Sequence, residues 1–121
     1  MFAKLHDISV NFGEVRALNN VSLDISPNQI HAIVGENGAG KSTLMSVLFG
    51  LNVNYSGQIF IDEVDKNWVT PSDAIKAGIG MVHQHFMLIE SMTVLENIIL
   101  GSEPNKYMGF LDFQFAEKKL Y

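Results

Sequence analysis

The sequence predicts an α/β fold, on three observations. A nearly continuous apolar run, Ile30, Ala32, Ile33 and Val34, meets a glycine-rich stretch from Gly35 to Gly40 and then apolar residues at helical spacing, Leu44, Met45, Val47, Leu48 and Phe49. Before it, Leu5, Ile8, Val10 and Phe12, and then Val21, Leu23 and Ile25, alternate with polar residues, as strands with one wet face do. After it, Thr70 and Thr93 each stand three positions before an acidic residue, Asp73 and Glu96, which is the pattern of a capped helix start.

Taken in order, residues 2–12 read as a strand, and Asn11 to Glu14, with Gly13, as a turn. Residues 15–25 form the next strand, ended by the turn Ser26-Pro27-Asn28. Gln29 to Val34 reads as a strand buried on both faces, because its apolar residues do not alternate. Lys41 to Phe49 is a helix closed by Gly50. Residues 57–61 are a short strand. Pro71 occupies the first position of a helix that ends by Gly78, and Ile79 to Val82 is a further strand. A helix opens at Thr93 and runs to Leu100, where Gly101 stops it. Residues 102–110 read as loop and Asp112 to Tyr121 as a last helix.

Composition narrows the function. The chain has 121 residues, enough for one domain with a real core. It has no cysteine, which excludes a disulfide framework, a thiolate metal site and a cysteine nucleophile. Apolar residues make up 47% and charged residues 17%, with 8 basic and 13 acidic residues giving a net charge of -5. That balance argues against a nucleic-acid or anionic-membrane surface. No run is apolar enough to span a bilayer or to serve as a signal peptide, so the composition implies a soluble intracellular domain.

The stretch Gly35-Glu36-Asn37-Gly38-Ala39-Gly40-Lys41-Ser42-Thr43 fits G-x-x-x-x-G-K-[ST] at every fixed position. Its glycines let the backbone turn and approach a ligand closely. Its successive N–H groups form a nest for anions at the start of a helix, where free N–H groups and the helix dipole favour negative charge. In such a loop Lys41 reaches the β- and γ-phosphates, the Ser42 hydroxyl reaches Mg²⁺, and Thr43 donates near the α-phosphate.

From this loop outward the sequence resembles the ATP-binding subunit of ABC transporters, a P-loop NTPase core with an antiparallel β-subdomain. The likeness runs through Phe12-Gly13-Glu14-Val15-Arg16-Ala17-Leu18, Gly78-Ile79-Gly80-Met81-Val82-His83-Gln84 and Thr93-Val94-Leu95-Glu96-Asn97-Ile98-Ile99-Leu100-Gly101. The phosphate loop continued by Leu44-Met45 is similar to the simple-sugar and nucleoside importers, and His83-Gln84-His85-Phe86-Met87-Leu88 is similar to the nucleoside branch. The resemblance implies that ATP and Mg²⁺ bind at residues 35–43, and that Phe12 stacks on adenine, although spacing alone would make Phe12 a core residue ending a strand. It implies that Gln84 is the Q-loop glutamine, touching Mg²⁺ or the attacking water, so that Lys41 and Gln84 serve catalysis and Ser42 and Gln84 the metal. The apolar stretch from His85 to Met92 would face a membrane permease, pack under the helical part of the domain, or do both. The other partners implied are a second cassette and, indirectly, an extracytoplasmic substrate-binding protein. The protein would sit peripherally on the cytoplasmic face of the membrane and bind no nucleic acid.

Two other patterns carry less. Ile59-Phe60-Ile61-Asp62-Glu63 mimics a Walker B strand, but it follows the phosphate loop too soon for this family and reads as a strand running into an acidic turn. His83 and His85 could share one side of a strand end, but no third ligand has metal-site spacing. His6 and His31 read as strand residues, and Trp68 as packing against a sheet edge. The family's signature Leu-Ser-Gly-Gly-Gln, catalytic glutamate, D-loop and switch histidine do not occur in these 121 residues. The expectation is therefore the N-terminal part of a cassette, the first of two in tandem, with the Q-loop near residue 84 and the helical subdomain starting after about residue 93. By itself it should hydrolyse ATP negligibly. The rival readings are a regulatory cassette that binds without hydrolysing and a soluble ABC ATPase outside transport.

Overall fold

The computed structural model describes residues 3–85 and 88–100. The chain divides into two units, Met1–Val82 and His83–Tyr121. The first is built on a four-stranded antiparallel sheet of β1 (Ala3–Phe12), β2 (Val15–Ile25), β3 (Ser56–Ile61) and β4 (Val64–Lys66), in the order β2-β1-β3-β4. Helix α1 (Lys41–Phe49) and helix α2 (Pro71–Lys76) belong to the same unit.

The loose alternation of the first two strands has a structural solution. Leu5 and Ile8 are three apart, which in a regular strand would send them to opposite faces. The β1–β2 register slips between these residues, and Asp7 takes φ 50 at the irregularity. The bulge restores the phase, so Leu5, Ile8 and Val10 are all fully buried. In β2, Asn20 takes φ 49 between Leu18 and Val21. Hydroxyls supply the hydrogen bonds that the bulges remove from the ladder: Asp7 N–H donates to Ser22 Oγ at 2.9 Å and Asn20 N–H to Ser9 Oγ at 2.8 Å.

The core gathers Leu5, Ile8 and Val10 of β1, Leu18 of β2, Leu44, Val47 and Phe49 of α1, Ile59 and Ile61 of β3, Trp68, and Ala74 of α2. Gly50 ends α1 in the left-handed conformation, its N–H bonded to Val47 O, and Leu51 N–H returns to Ser46 O. Asp73 opens α2 by accepting from the N–H groups of Thr70 and Val69 at 2.9 and 3.0 Å.

The structure corrects the sequence reading at several places. Residues 29–34 form no strand: Ile30 is fully exposed and Val34 93% exposed. Residues 79–82 form none either, although Ile79 and Met81 pack against the core. A strand buried on both faces exists only through ladder partners, and no described residue pairs with either segment. His31 is accordingly not a strand residue; its Nε2 accepts from Ser26 N–H at 3.3 Å. Trp68 is a core residue, 4% exposed. The short strand β4 had no counterpart in the sequence reading.

In the second unit, helix α3 (Val94–Ile99) starts at Thr93, whose Oγ1 accepts from Glu96 N–H at 3.2 Å while Glu96 Oε2 accepts from Thr93 N–H at 2.7 Å. The reading of residues 102–110 as loop and Asp112–Tyr121 as helix lies outside the described residues. No helix among the described residues is long and apolar enough to cross a membrane.

Candidate functional site: the phosphate loop

The loop before α1 is shaped by its glycines and by what it rests on. Gly38 and Gly40 take φ 84 and 98. A Cβ on Gly40 would lie 2.7 Å from Leu18 Cδ2 and 2.9 Å from Ala17 O, so the loop packs directly on β2 at this point. The bare backbone of Gly40 also lets the chain enter α1, whose first intrahelical bond runs from Leu44 N–H to Gly40 O at 2.9 Å. The N–H groups ahead of Leu44 have no partner inside the helix and face outward at its start. Ala39 N–H donates to Glu36 O at 3.2 Å and closes the turn.

Lys41 is half-buried and folds back along the loop: its Nζ donates to Gly35 O at 2.5 Å and to Glu36 O at 2.6 Å. The ammonium therefore sits inside the curve of the loop. Ser42 is exposed at the second position of α1, and Thr43 is half-buried at the third. Glu36, Asn37, Gly38 and Ala39 are exposed. One cation, a helix N-terminus and a glycine-shaped curve of backbone are groups suited to a polyphosphate, and a hydroxyl beside them is a donor suited to a hard cation.

Phe12 ends β1, paired with Val15 across the turn at Gly13 and Glu14, and is 56% exposed. It does not pack in the core as spacing alone suggested, and more than half of it is open to solvent. Leu18 ties this hairpin to the phosphate loop: it is paired with Val10 in the sheet and touches the position of Gly40. Sequence reasoning passed over Leu18 and Ala17 as supports of the loop, because only the close approach at Gly40 reveals them.

Gln84 belongs to the second unit, where it is exposed in a bend. Phe86 and Met87 of the apolar stretch that follows lie outside the described residues; Leu88 is exposed, as are Ile89 and Met92. Asp62 and Glu63 form the two-residue turn between β3 and β4, at φ 48 and 67, so the apparent Walker B pair is a hairpin turn. Among the described residues no group of three or more His, Asp or Glu side chains could hold a metal ion. A shallow depression of about 460 Å³ on the sheet is lined by Lys4, His6, Gln58, Phe60 and Glu63, none of them a residue of the phosphate loop.

A family profile described as ABC transporter matches residues 18–120. The chain belongs to the ABC transporter family. Among curated members of that family it is 47% identical over 114 residues to the nucleoside import ATP-binding protein NupA of Lactococcus lactis, covering 94% of this chain and 22% of that protein. It is 51% identical over 109 residues to the guanosine import ATP-binding protein NupO of Bacillus subtilis, covering 90% of this chain and 21% of that protein. The ABC chain thus spans about a fifth of the length of these relatives. Among solved structures it is similar to a nucleotide-free ATP-binding cassette from an ABC transporter, with a TM-score of 0.77 and 28% identity over 99% of this chain and 46% of that one. It is also similar to an ATP-binding cassette in a dimeric post-hydrolysis state bound to ADP and Pi, with a TM-score of 0.71 and 30% identity over 97% of this chain and 53% of that one. The fold is that of a partial ABC cassette: the antiparallel sheet and the loop–helix unit are formed, and residues 29–34 and 79–82, expected as strands, pair with no described strand.

Proposed function

We propose that the chain is the N-terminal part of the first nucleotide-binding cassette of an ABC importer subunit, one that binds ATP and, in the intact protein, hydrolyses it to drive uptake of a nucleoside or simple sugar. The observation that carries this reading is the seating of Lys41 inside a glycine-shaped loop at the start of α1. Residues 35–43 hold the phosphates, with Lys41 swinging from the carbonyls of Gly35 and Glu36 toward the β- and γ-phosphates. Phe12, more than half exposed, takes the adenine.

Mg²⁺ fits the donors offered. It binds through one or two protein oxygens plus phosphates and water, and the exposed Ser42 hydroxyl at the start of α1 is such a donor. Its chemistry there is to neutralise charge on the transferring phosphoryl group. Lys41 adds to that neutralisation, and the resemblance gives Gln84, in the second unit, the role of the Q-loop glutamine. The apolar stretch from His85 to Met92 faces the permease, so nucleotide and membrane partner meet through the segment that contains Gln84. The second cassette and an extracytoplasmic binding protein complete the assembly, which places the chain on the cytoplasmic face of the membrane. The names of the curated relatives support nucleoside or sugar uptake over the soluble alternative.

The test is Lys41→Ala with ATP titrated by calorimetry or a fluorescent analogue. A charge-assisted hydrogen bond to phosphate contributes about 1.5–3 kcal/mol, so affinity should fall roughly ten- to a hundredfold. Unchanged affinity would remove the phosphate-loop assignment.

A further inference from the structure

Asn97 makes an unusual set of bonds for one side chain on an exposed helix. Its Oδ1 accepts from Ile89 N–H at 2.8 Å. The two hydrogens of its Nδ2 are shared among three carbonyls, Ile89 O at 3.1 Å, Met92 O at 3.2 Å and Thr93 O at 3.0 Å. The orientation of the amide is fixed by this pattern, since the reverse would set the NH₂ against an N–H and the oxygen against three carbonyls.

Among the described residues, these bonds are the main ones that close the turn. Met92 N–H donates to Ile89 O at 3.0 Å, and that same carbonyl receives Asn97. Thr93 and Glu96 cap the helix immediately after. Among the described residues apolar packing here is slight: none of α3 is fully buried, and Leu88, Val94 and Ile98 are largely exposed. The turn is therefore joined to α3 by polar bonds from one residue in its first turns. Bonds of this kind are directional and short-ranged, so they transmit rotation as well as position.

We propose that Asn97 is a positioning residue that makes the turn Ile89–Met92 and helix α3 one body, so that a displacement of the segment following Gln84 is carried into α3. The inference rests on the reading above, in which this segment faces the permease. Asn97 touches neither nucleotide nor metal in that reading; it acts through the turn it holds.

The experiment uses the intact transporter with Asn97→Ala and Asn97→Asp. ATP turnover is measured with and without the assembled permease, and amide exchange is followed at Ile89 and Met92. Loss of several hydrogen bonds, each contributing about 1 kcal/mol, should speed Ile89 exchange roughly tenfold or more. Permease-dependent stimulation should fall by a similar factor, while unstimulated turnover and the KM for ATP stay within about twofold. Asn97→Asp should be at least as impaired as Asn97→Ala, because its carboxylate keeps the Ile89 N–H but faces three carbonyls. Fast exchange with stimulation intact would overturn the proposal, as would a joint loss of unstimulated turnover and KM, which marks general misfolding. If the wild-type assembly shows no permease-dependent turnover, the functional reading fails. The exchange arm then decides by itself whether Asn97 binds turn and helix into one body: unchanged exchange in Asn97→Ala overturns it.

Discussion

Replacing Gly40 by alanine tests how the phosphate loop is held on the sheet. Two costs add at this position. The backbone sits at φ 98, where an L-residue is strained by about 1–3 kcal/mol. The new Cβ would also lie 2.7 Å from Leu18 Cδ2 and 2.9 Å from Ala17 O. Leu18 can shift a rotamer, but the Ala17 carbonyl belongs to β2 and moves only with the strand. Overpacking of that kind costs roughly 1–3 kcal/mol. The sum, about 2–6 kcal/mol, is a large share of the 5–15 kcal/mol that holds an ordinary domain together. Gly38→Ala is the matched control, since Gly38 also has a positive φ, 84, but its Cβ would meet nothing within 4 Å. It should lose only the conformational part, about 1–3 kcal/mol. Urea unfolding followed by the fluorescence of Trp68, the single tryptophan and a member of the same core as Leu18, reads both variants. The midpoint of Gly40→Ala should fall clearly below that of Gly38→Ala. Equal midpoints would refute the claim that the loop is seated by contact with β2.

Two further perturbations address the turns and caps. Glu63→Gly should raise the melting temperature, with a gain of about 1 kcal/mol, because Glu63 holds φ 67 in a two-residue hairpin turn that glycine adopts without strain; calorimetry showing no gain would remove strain from that turn. The carboxyls of Asp73 and Glu96 are held below their ordinary pKa values, first by backbone N–H bonds from Thr70 and from Thr93 respectively. Groups lowered on folding stabilise above the ordinary carboxylate range, and that contribution is lost as pH falls through the range and below it. Acid titration of helix content should therefore show loss beginning there, and Asp73→Asn should flatten the dependence; an unchanged titration in that variant would exclude Asp73 as a source.

What could be read from the residues was mostly local. Lys41–Phe49 needs only its own spacing and two flanking glycines to declare itself, and the capped start at Thr93 needs only Glu96. What could not be read depends on distant partners. The bulges at Asp7 and Asn20 follow from cross-strand phase, and Ile30 looks like a core residue until the lack of a ladder neighbour exposes it. Phe12 shows the same limit in reverse: its spacing suggests burial, and the strand end leaves it open. The motif at residues 35–43 could be read because its fixed positions are consecutive residues. The Asn97 clasp could not, since an asparagine inside a helix gives no sign of what it reaches.

The strand order has a consequence for how this protein matures. The central strand β1 pairs on one side with β2, its neighbour along the chain, and on the other with β3, with Ala3 opposite Ile61. The phosphate loop and α1 lie on the stretch between those two edges. The β1–β2 hairpin can zip as soon as it is made, whereas the β1–β3 seam must wait for a long closure, and such closures are slow. The face of α1 that carries Leu44, Val47 and Phe49 shares its core with Ile59 and Ile61 of β3. The Gly40 end of that stretch rests on Leu18 and Ala17 of β2, so the hairpin that closes locally is also the seat of the loop, while the distant seam adds Ile59 and Ile61 to the core that α1 shares.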